Sequence, residues 1–204
     1  MLIVLCGKTC SGKTTLRDCL AKEYGCMPVV TVTTRPMRSG EADGRDYFFR
    51  TDEEFAEMEQ NGEFLETADY HTIQPDGSRA LWRYGSLRAS YANAIASRDN
   101  YVVILTQDGV KALDRAGLDG YLLAFIDITD TEMSRRQAIR HDEPKEASRR
   151  RKADALAFSE MPEICRNRGE LGLQFNASST LSPESMACTI MCRLGGEKEA
   201  ARAI

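Results

Sequence analysis

A short apolar run, a glycine-rich loop and a helix-compatible segment begin the chain, and together they constrain its fold more than any other feature. Residues 2–6 are continuously apolar, which suits a strand buried on both faces. Residues 7–14 read G-K-T-C-S-G-K-T and match the spacing G-x-x-x-x-G-K-[ST]. Residues 13–24 then predict a helix that ends at Gly25. A strand that leads through such a loop into a helix predicts an α/β protein with a buried parallel sheet.

Residues 7–14, called the phosphate loop below, have the composition that phosphate binding requires. Glycines let successive backbone N–H groups turn inward around phosphate oxygens, and the helix N-terminus adds partial positive charge. Lys13 is expected to reach the β- and γ-phosphates, and the Thr14 hydroxyl to bind Mg²⁺. The sequence therefore predicts a nucleoside triphosphate with magnesium. The residues expected to contact it are Gly7, Ser11, Gly12, Lys13, Thr14 and Thr15.

Strand and helix patterns alternate along most of the remaining chain, which predicts a parallel sheet covered on both faces. Further strands are predicted at 29–33, 101–105, 121–128 and 171–176. Helices are predicted at about 51–61, 86–97, 110–116 and 183–194, and over a long charged stretch, 130–166, that is broken near Pro144. Residues 34–85 are rich in turn signals, charges and aromatics, which indicates an insertion. The tail, 195–204, is expected to fray.

Composition excludes several classes of protein. Hydrophobic residues make up 42% of the 204 residues, as in ordinary globular proteins and unlike disordered chains. The longest apolar runs fall far short of the roughly 20 residues that span a bilayer, so no membrane segment is expected. Lys and Arg number 27 against 31 Asp and Glu, so no broad nucleic-acid-binding surface is expected. Arginines nevertheless gather at 35–50 and 135–151, which fits either binding of a small polyanion or solvated helix faces.

Cysteine usage bears on the cellular compartment. The chain has seven cysteines, an odd number, and no basic segment precedes the first apolar run. Reduced thiols in the cytoplasm are therefore expected, without a disulfide framework. Only two histidines and no Cys-x-x-Cys pair occur, so buried thiols are favoured over a metal site.

The insertion holds residues suited to a second phosphate and to a base. Arg35 and Arg38 offer guanidinium forks for a terminal phosphate, and Tyr47 can add a hydroxyl donor. The segment G-E-F-L-E at 62–66 presents carboxylates, which can accept two N–H bonds at once, the pattern guanine offers at N1 and N2. The segment Y-G-S at 84–86 supplies further hydroxyls.

Together these segments resemble the guanylate kinase family. The match rests on the phosphate loop, on T-T-R-P-x-R-x-G-E-x-D-G-x-D-Y at 33–47, and on the segments at 62–66 and 84–86, and it extends to Asn176. The resemblance implies transfer of the γ-phosphoryl of Mg-ATP to GMP or dGMP, giving ADP and GDP or dGDP. It implies a three-layer P-loop kinase fold with a central parallel sheet, a small mixed α+β insertion for the nucleoside monophosphate, and a helical lid. The expected boundaries are core 1–34, insertion 35–88, core 89–132, lid 133–152, and core with C-terminal helix 153–204.

The resemblance also implies roles for individual residues. The acceptor phosphate would be bound by Arg35, Arg38, Tyr47 and Tyr84, and the guanine by Glu66, with weaker matches at Thr31 and Ser86. Thr106 departs from the family residue at its position but could still accept from the guanine amino group. Asn176 matches the asparagine near the donor base. Besides Lys13, the catalytic residues would be the lid arginines Arg136, Arg140 and Arg151, with Arg150 as the next choice after Arg151 and the orientation of Arg149–Arg151 left open.

Two departures from the family pattern affect the acceptor site. Where the family usually has two aspartates, this chain has Ile104 and Thr106, and Asp108 could substitute if the strand runs longer. The stretch 71–83, which carries the only tryptophan, Trp82, is longer than the usual hairpin. It could reshape the acceptor pocket, form an oligomer contact, or be a longer loop only.

Two other functions fit part of the pattern. One is a kinase of another nucleotide or of a phosphorylated sugar on the same fold. The other is a non-catalytic guanylate-kinase-like binding module, which the intact Lys13 and Thr14 argue against. The expected partners are ATP and GMP or dGMP, with no nucleic acid and no membrane, and the oligomeric state is left open.

Overall fold

The computed structural model describes residues 1–74, 77–118, 120–140, 143–178 and 180–195, and the chain divides into two compact units. The first unit comprises Met1–Pro28, Asp99–Gln107 and Gly120–Ile204, and the second comprises Val29–Arg98 and Asp108–Asp119. Residues 196–204, where fraying is expected, lie outside the described residues. In chain order the elements are β1 (Leu2–Gly7), α1 (Lys13–Tyr24), β2 (Met27–Pro28), β3 (Val32–Thr33), β4 (Phe48–Phe49), α2 (Asp52–Gln60), β5 (Phe64–Ile73), β6 (Arg79–Leu87), α3 (Arg88–Ala96), β7 (Tyr101–Leu105), α4 (Gln107–Arg115), β8 (Leu122–Ile128), α5 (Asp130–Ile139), α6 (Pro144–Ala157), α7 (Met161–Asn167), a 3₁₀ turn (Gly169–Leu171), β9 (Gly172–Ala177) and α8 (Pro183–Arg193).

The first unit is built on a five-stranded parallel sheet with the strand order β2-β7-β1-β8-β9. β1 lies at its centre and every one of its residues is buried, as the continuous apolar run predicts. Ile3 and Leu5 share a core cluster with side chains of α1 and α8, whereas the neighbouring Cys6 Sγ contacts Met161 Sδ of α7. Because successive strand residues point to opposite faces, helices cover both faces of the sheet. The predicted α/β class with a central parallel sheet is confirmed.

Helix α1 shows how local sequence sets the ends of an element. It begins after Gly12, whose φ of 98° is in the left-handed region, and it ends at Gly25, which adopts a left-handed cap. The Gly25 amide donates to the carbonyl groups of Ala21 and Leu20, which satisfies two acceptors at the helix end. The helix predicted over Lys13–Tyr24 is confirmed to the residue.

The second unit contains a four-stranded mixed sheet with the order β4-β3-β6-β5. β3 pairs parallel with β4 and antiparallel with β6, and β6 pairs antiparallel with β5. Its small core joins Val32, Phe55 and Phe64, and the two phenylalanine rings stack with centroids 4.6 Å apart. Helix α2 begins at a capping box, in which Thr51 and Glu54 each accept the other's backbone amide.

Four predicted elements differ from the structure. Of the strand predicted at 29–33, only Val32–Thr33 is strand. This strand, β3, belongs to the second unit's sheet, whereas the preceding β2 belongs to the first unit's sheet, because the chain changes sheets between Pro28 and Val32. The helix predicted from residue 86 begins at Arg88, since Ser86 pairs with β5, and the helix predicted from residue 110 begins at Gln107. The stretch 130–166 forms three helices, and Pro144 starts the second of them, where its missing N–H costs no hydrogen bond.

The long stretch 71–83 is mostly paired strand. β5 and β6 pair from Phe64 opposite Leu87 to Ile73 opposite Arg79, with an irregularity between Phe64 and Glu66. The pleat places the pairs Glu66–Ser86, Ala68–Tyr84 and Tyr70–Trp82 on the same face of the hairpin. One sheet face thus carries a carboxylate, three hydroxyl groups and three large aromatic rings, two of which belong to tyrosines.

Candidate active site

The phosphate loop joins β1 to α1 at the carboxyl edge of the parallel sheet. Gly7 and Gly12 have φ values of 154° and 98°, and Cys10 has a φ of 59°, the only positive value among the described non-glycine residues. A Cβ atom at Gly7 would overlap the carbonyl oxygen of Ile126 on β8. Glycine at position 7 is therefore required by close backbone approach, and the loop adopts the winding that turns amide groups toward an anion.

Lys13 lies across this loop. Its Nζ donates to the carbonyl oxygens of Gly7 at 2.8 Å and Lys8 at 2.7 Å. Burial lowers the pKa of Lys13, and nearby Cys6 and Asp154 partly oppose that effect. The ammonium group is thus held at the loop, where a phosphate could replace the carbonyl contacts.

Two of the predicted lid arginines, Arg136 on α5 and Arg140 directly after it, contact the phosphate loop. Arg136 donates from Nη1 to the Cys10 carbonyl at 3.1 Å and from Nη2 to the Ser178 carbonyl at 3.1 Å, while Glu132 accepts from its Nε at 2.7 Å. Arg140 donates from Nη1 to Cys10 Sγ at 3.4 Å. The structure therefore brings both guanidinium groups beside the loop.

The three consecutive arginines of α6 have different partners. Arg149 and Arg150 both pair with Glu146 of their own helix at 2.8 Å. The hydrogen bond from Arg149, together with Arg150, lowers the pKa of Glu146 to about 2. Arg151 instead donates to Ser134 Oγ at 3.0 Å and to Gln137 Oε1 at 3.2 Å, which links α6 to α5.

A carboxylate from α6 also contacts the loop. Oδ2 of Asp154 accepts a hydrogen bond from the backbone N of Thr9 at 2.6 Å. Sequence reasoning missed Asp154, since it belongs to no motif. Its spacing of one helical turn from Arg150 was the only available signal.

A cavity of about 290 Å³ lies at the carboxyl ends of β8 and β9. Lys8, Asp127 and the predicted donor-base residue Asn176 are among its lining residues. Lys8 Nζ lies 2.8 Å from Asp127 Oδ1, so charges of both signs border the cavity.

In the second unit, Arg35 is held in a buried ion pair. Its guanidinium donates to both carboxylate oxygens of Glu41 at 3.0 and 2.8 Å, and its carbon lies 5.3 Å from the Tyr47 ring centroid. Glu41 also accepts from the backbone N of Arg38 at 2.7 Å, and the Arg38 side chain is exposed. The hydrogen bond from Arg35 lowers the pKa of Glu41. Glu41 is a second residue that the sequence reasoning did not single out.

Two predicted phosphate-binding tyrosines lie together near this ion pair. The rings of Tyr47 and Tyr84 meet edge to face with centroids 6.0 Å apart, and Tyr84 meets Tyr70 at 5.3 Å. Burial lowers the pKa of Arg35, but its hydrogen bonds to Glu41 and the nearby Tyr84 outweigh that effect and raise the pKa above its usual value. Arg35, Tyr47 and Tyr84 therefore form one cluster.

Glu66 presents a buried acceptor on the same hairpin face. Its Oε1 accepts from Ser86 Oγ at 2.7 Å, and Tyr91 donates to Ser86 Oγ at 3.1 Å. Its Oε2 is buried and has no hydrogen-bond partner among the described residues. Burial raises the pKa of Glu66, and Asp108 raises it further.

The remaining predicted residues occupy less informative positions. Thr31 is half-buried next to β3, and its carbonyl accepts from the Phe48 amide at 2.9 Å. Thr106 directly follows β7 and belongs to the first unit, whereas Asp108 lies in the first turn of α4 and belongs to the second. Thr14 and Thr15 are exposed in the first turn of α1.

Residues 1–163 match a family model described as guanylate kinase. The chain belongs to the guanylate kinase family. A guanylate kinase of Thermotoga maritima is 45% identical over 115 residues, which cover 56% of this chain and 51% of that protein. A guanylate kinase of Rhodopseudomonas palustris is 38% identical over 121 residues, covering 58% and 51%. One of Symbiobacterium thermophilum is 33% identical over 156 residues, covering 76% and 70%. The chain thus spans about half the length of the first two relatives.

A solved structure supports the fold. The crystal structure of guanylate kinase from Anaplasma phagocytophilum superposes with a TM-score of 0.66 over 98% of this chain and 86% of that chain, at 23% identity. At this identity the likeness concerns the fold alone. Asp108, which the sequence offered as a substitute for an aspartate at position 106, lies close enough to Glu66 to raise its pKa.

Proposed function

We propose that this guanylate kinase family member transfers the γ-phosphoryl group of Mg-ATP to GMP or dGMP. The observation that carries the proposal is Glu66, whose buried Oε2 lacks a partner among the described residues. A buried acceptor without a donor is costly, and a ligand with an N–H group would satisfy it. Guanine presents two adjacent N–H donors at N1 and N2, which one carboxylate can accept together.

The acceptor phosphate would bind at the cluster of Arg35, Tyr47 and Tyr84, joined by Arg38. Arg35 is already oriented by Glu41 and the Tyr47 ring, which lowers the entropy lost on binding. Arg38 has an exposed guanidinium that can fold onto an added phosphate. The second unit would thus bind both the base and the phosphate of a nucleoside monophosphate.

The donor would bind at the phosphate loop, with its base near Asn176. Lys13 would exchange the carbonyl groups of Gly7 and Lys8 for β- and γ-phosphate oxygens. Arg136 and Arg140 lie at the loop, where they would stabilise negative charge on the transferred group, and Arg151 would join them from α6. We assign 133–152 to the lid and 35–88 to the acceptor-binding insertion on the same grounds.

Magnesium fits this site as a companion of the nucleotide. Thr14 offers an exposed hydroxyl directly after Lys13, and the first turn of α1 has no acidic side chain. Among the described residues, no group of three or more His, Cys, Asp or Glu side chains could hold a metal ion. The Thr14 hydroxyl would therefore hold an ion bound mainly by phosphates, and that ion supplies positive charge to the transferred group.

We infer a reducing, cytoplasmic setting and small-molecule partners. All seven cysteines lie in the described part of the chain and each is a thiol. No helix among the described residues is long and apolar enough to cross a membrane.

A coupled assay of ADP formation tests the proposed function. The full chain would be given Mg-ATP and, in turn, GMP, dGMP, AMP, CMP, UMP and dTMP, with an acceptor-free reaction to measure hydrolysis. We expect turnover with GMP or dGMP well above the other acceptors and above hydrolysis. Turnover confined to a different nucleotide would assign another acceptor, and no turnover with any guanine nucleotide would overturn the proposal.

A further inference from the structure

The contact between Asp154 and the phosphate loop places a negative charge where a donor phosphate would bind. The Thr9 amide is one of the loop's backbone donors, and Asp154 Oδ2 accepts from it at 2.6 Å. This distance is short for an N–H···O bond, as expected for an ionised acceptor. Backbone amides of such a loop are the groups that phosphate oxygens use.

A second interaction locates the carboxylate within the loop. Asp154 raises the pKa of Lys13, against the larger lowering by burial, so its charge lies close to the Lys13 ammonium. Lys13 is the loop residue that reaches the β- and γ-phosphates. Asp154 therefore lies close both to the Thr9 amide and to the lysine that would reach the terminal phosphates.

Asp154 also belongs to the helix that carries the α6 arginines. It lies three residues after Arg151 and four after Arg150, and it raises the pKa of Arg149 after the larger effect of Glu146. Its bond to Thr9 therefore ties α6 to the loop. A terminal phosphate that takes the Thr9 amide would meet the Asp154 charge, so binding requires that this bond be exchanged.

We propose that Asp154 is a specificity-determining residue of the donor site, an internal carboxylate that competes with the terminal phosphates of the nucleotide for the loop. This inference rests on the proposed function, because it assumes that the loop binds a nucleotide. The competition weakens binding of a nucleoside triphosphate more than binding of a monophosphate. It thereby limits how tightly the donor is held.

Calorimetric titration of the full chain with β,γ-methylene-ATP and with AMP, each with Mg²⁺, tests this. Asp154→Asn removes the charge and keeps an acceptor for Thr9, and Asp154→Ala removes both. Glu163→Gln, an exposed carboxylate on α7, is the matched control for the change in net charge. We expect both Asp154 variants to bind β,γ-methylene-ATP about five- to tenfold more tightly, with AMP affinity and the Glu163→Gln variant unchanged.

Unchanged or weaker triphosphate binding by a folded Asp154→Asn chain would overturn the inference. An equal gain for AMP would overturn it too, since that gain would reflect net charge only. If neither variant folds, hydrogen exchange of the Thr9 amide in the wild-type chain provides the test. β,γ-methylene-ATP should change the exchange rate of this amide, and an unchanged rate would refute the replacement of Asp154 by a phosphate as its partner. A wild-type chain that turns over GMP but shows none of these effects leaves the proposed function intact.

Discussion

Replacing Glu66 by glutamine tests the proposed base recognition with little change in shape. Tyr91 donates to Ser86, and Ser86 donates to Glu66, so the amide oxygen of glutamine must face Ser86. The amide NH₂ group then takes the place of the buried Oε2 and turns its hydrogens toward the guanine donors. The variant therefore loses one charged hydrogen-bond acceptor, and its NH₂ group faces the N–H donors of guanine, with which it cannot form a hydrogen bond.

The expected loss follows from the strength of such contacts. A hydrogen bond to a charged group contributes about 1.5–3 kcal/mol, and an unpaired buried donor costs about 1–3 kcal/mol. A combined loss of about 3–4 kcal/mol corresponds to about 10²- to 10³-fold in kcat/KM for GMP. The KM for ATP should not change, and the matched change Glu63→Gln, at an exposed carboxylate, should have no effect.

The same substitution should leave the fold as stable or make it more stable. Burial raises the pKa of Glu66, so the folded chain resists ionisation of this group and loses stability as pH rises through the shifted range. Glutamine cannot ionise and therefore removes that cost. The free energy of unfolding of the variant should thus equal that of the wild type near pH 4 and exceed it at neutral pH. Coupled ADP assays and urea unfolding at both pH values measure the two effects. Full GMP turnover by the variant would refute the assignment, and a large loss of stability would show that Glu66 is structural.

Three further predictions concern the loop and the framework. Lys13→Ala should lower kcat by orders of magnitude with an unchanged unfolding midpoint, because its ammonium serves the phosphates; normal turnover would mean that the loop does not bind the donor. Gly172→Ala should cost at least about 3 kcal/mol in urea unfolding, because the added Cβ would overlap the Cys165 carbonyl, whereas Gly120→Ala, with open space around it, should be near neutral. Thr51→Ala should cost about 1 kcal/mol through loss of the α2 capping box, and an unchanged thermal midpoint would show that the cap does not contribute.

Local sequence predicted those parts of the fold whose causes are local. The buried strand, the glycine-bounded helix α1 and the loop between them depend on burial pattern and backbone freedom, which single residues reveal. The run 29–33 has a good strand composition, yet composition does not say which sheet a strand joins. Only its last two residues form a strand, β3, which pairs with the distant β6, whereas β2 lies before the run and pairs with β7.

The same distinction applies to the candidate site. Motif residues such as Lys13, Arg35 and Glu66 can be selected because their chemistry and spacing are characteristic. Glu41 and Asp154 are ordinary acidic residues until tertiary structure brings them to Arg35 and to Thr9. Partner choice for the arginines of α6 likewise depends on Glu146 and on the neighbouring helix α5.

At Cys10, a strained backbone conformation of the phosphate loop is combined with a side-chain contact. Its φ of 59° costs an L-residue about 1 kcal/mol that glycine would not incur. Its sulfur, however, accepts from Arg140 at 3.4 Å, a contact that glycine could not offer. The loop therefore stores a small amount of conformational strain in the segment that would surround a nucleotide. Relaxing that segment by a glycine at position 10 would also remove this contact with Arg140, an arginine of the proposed lid.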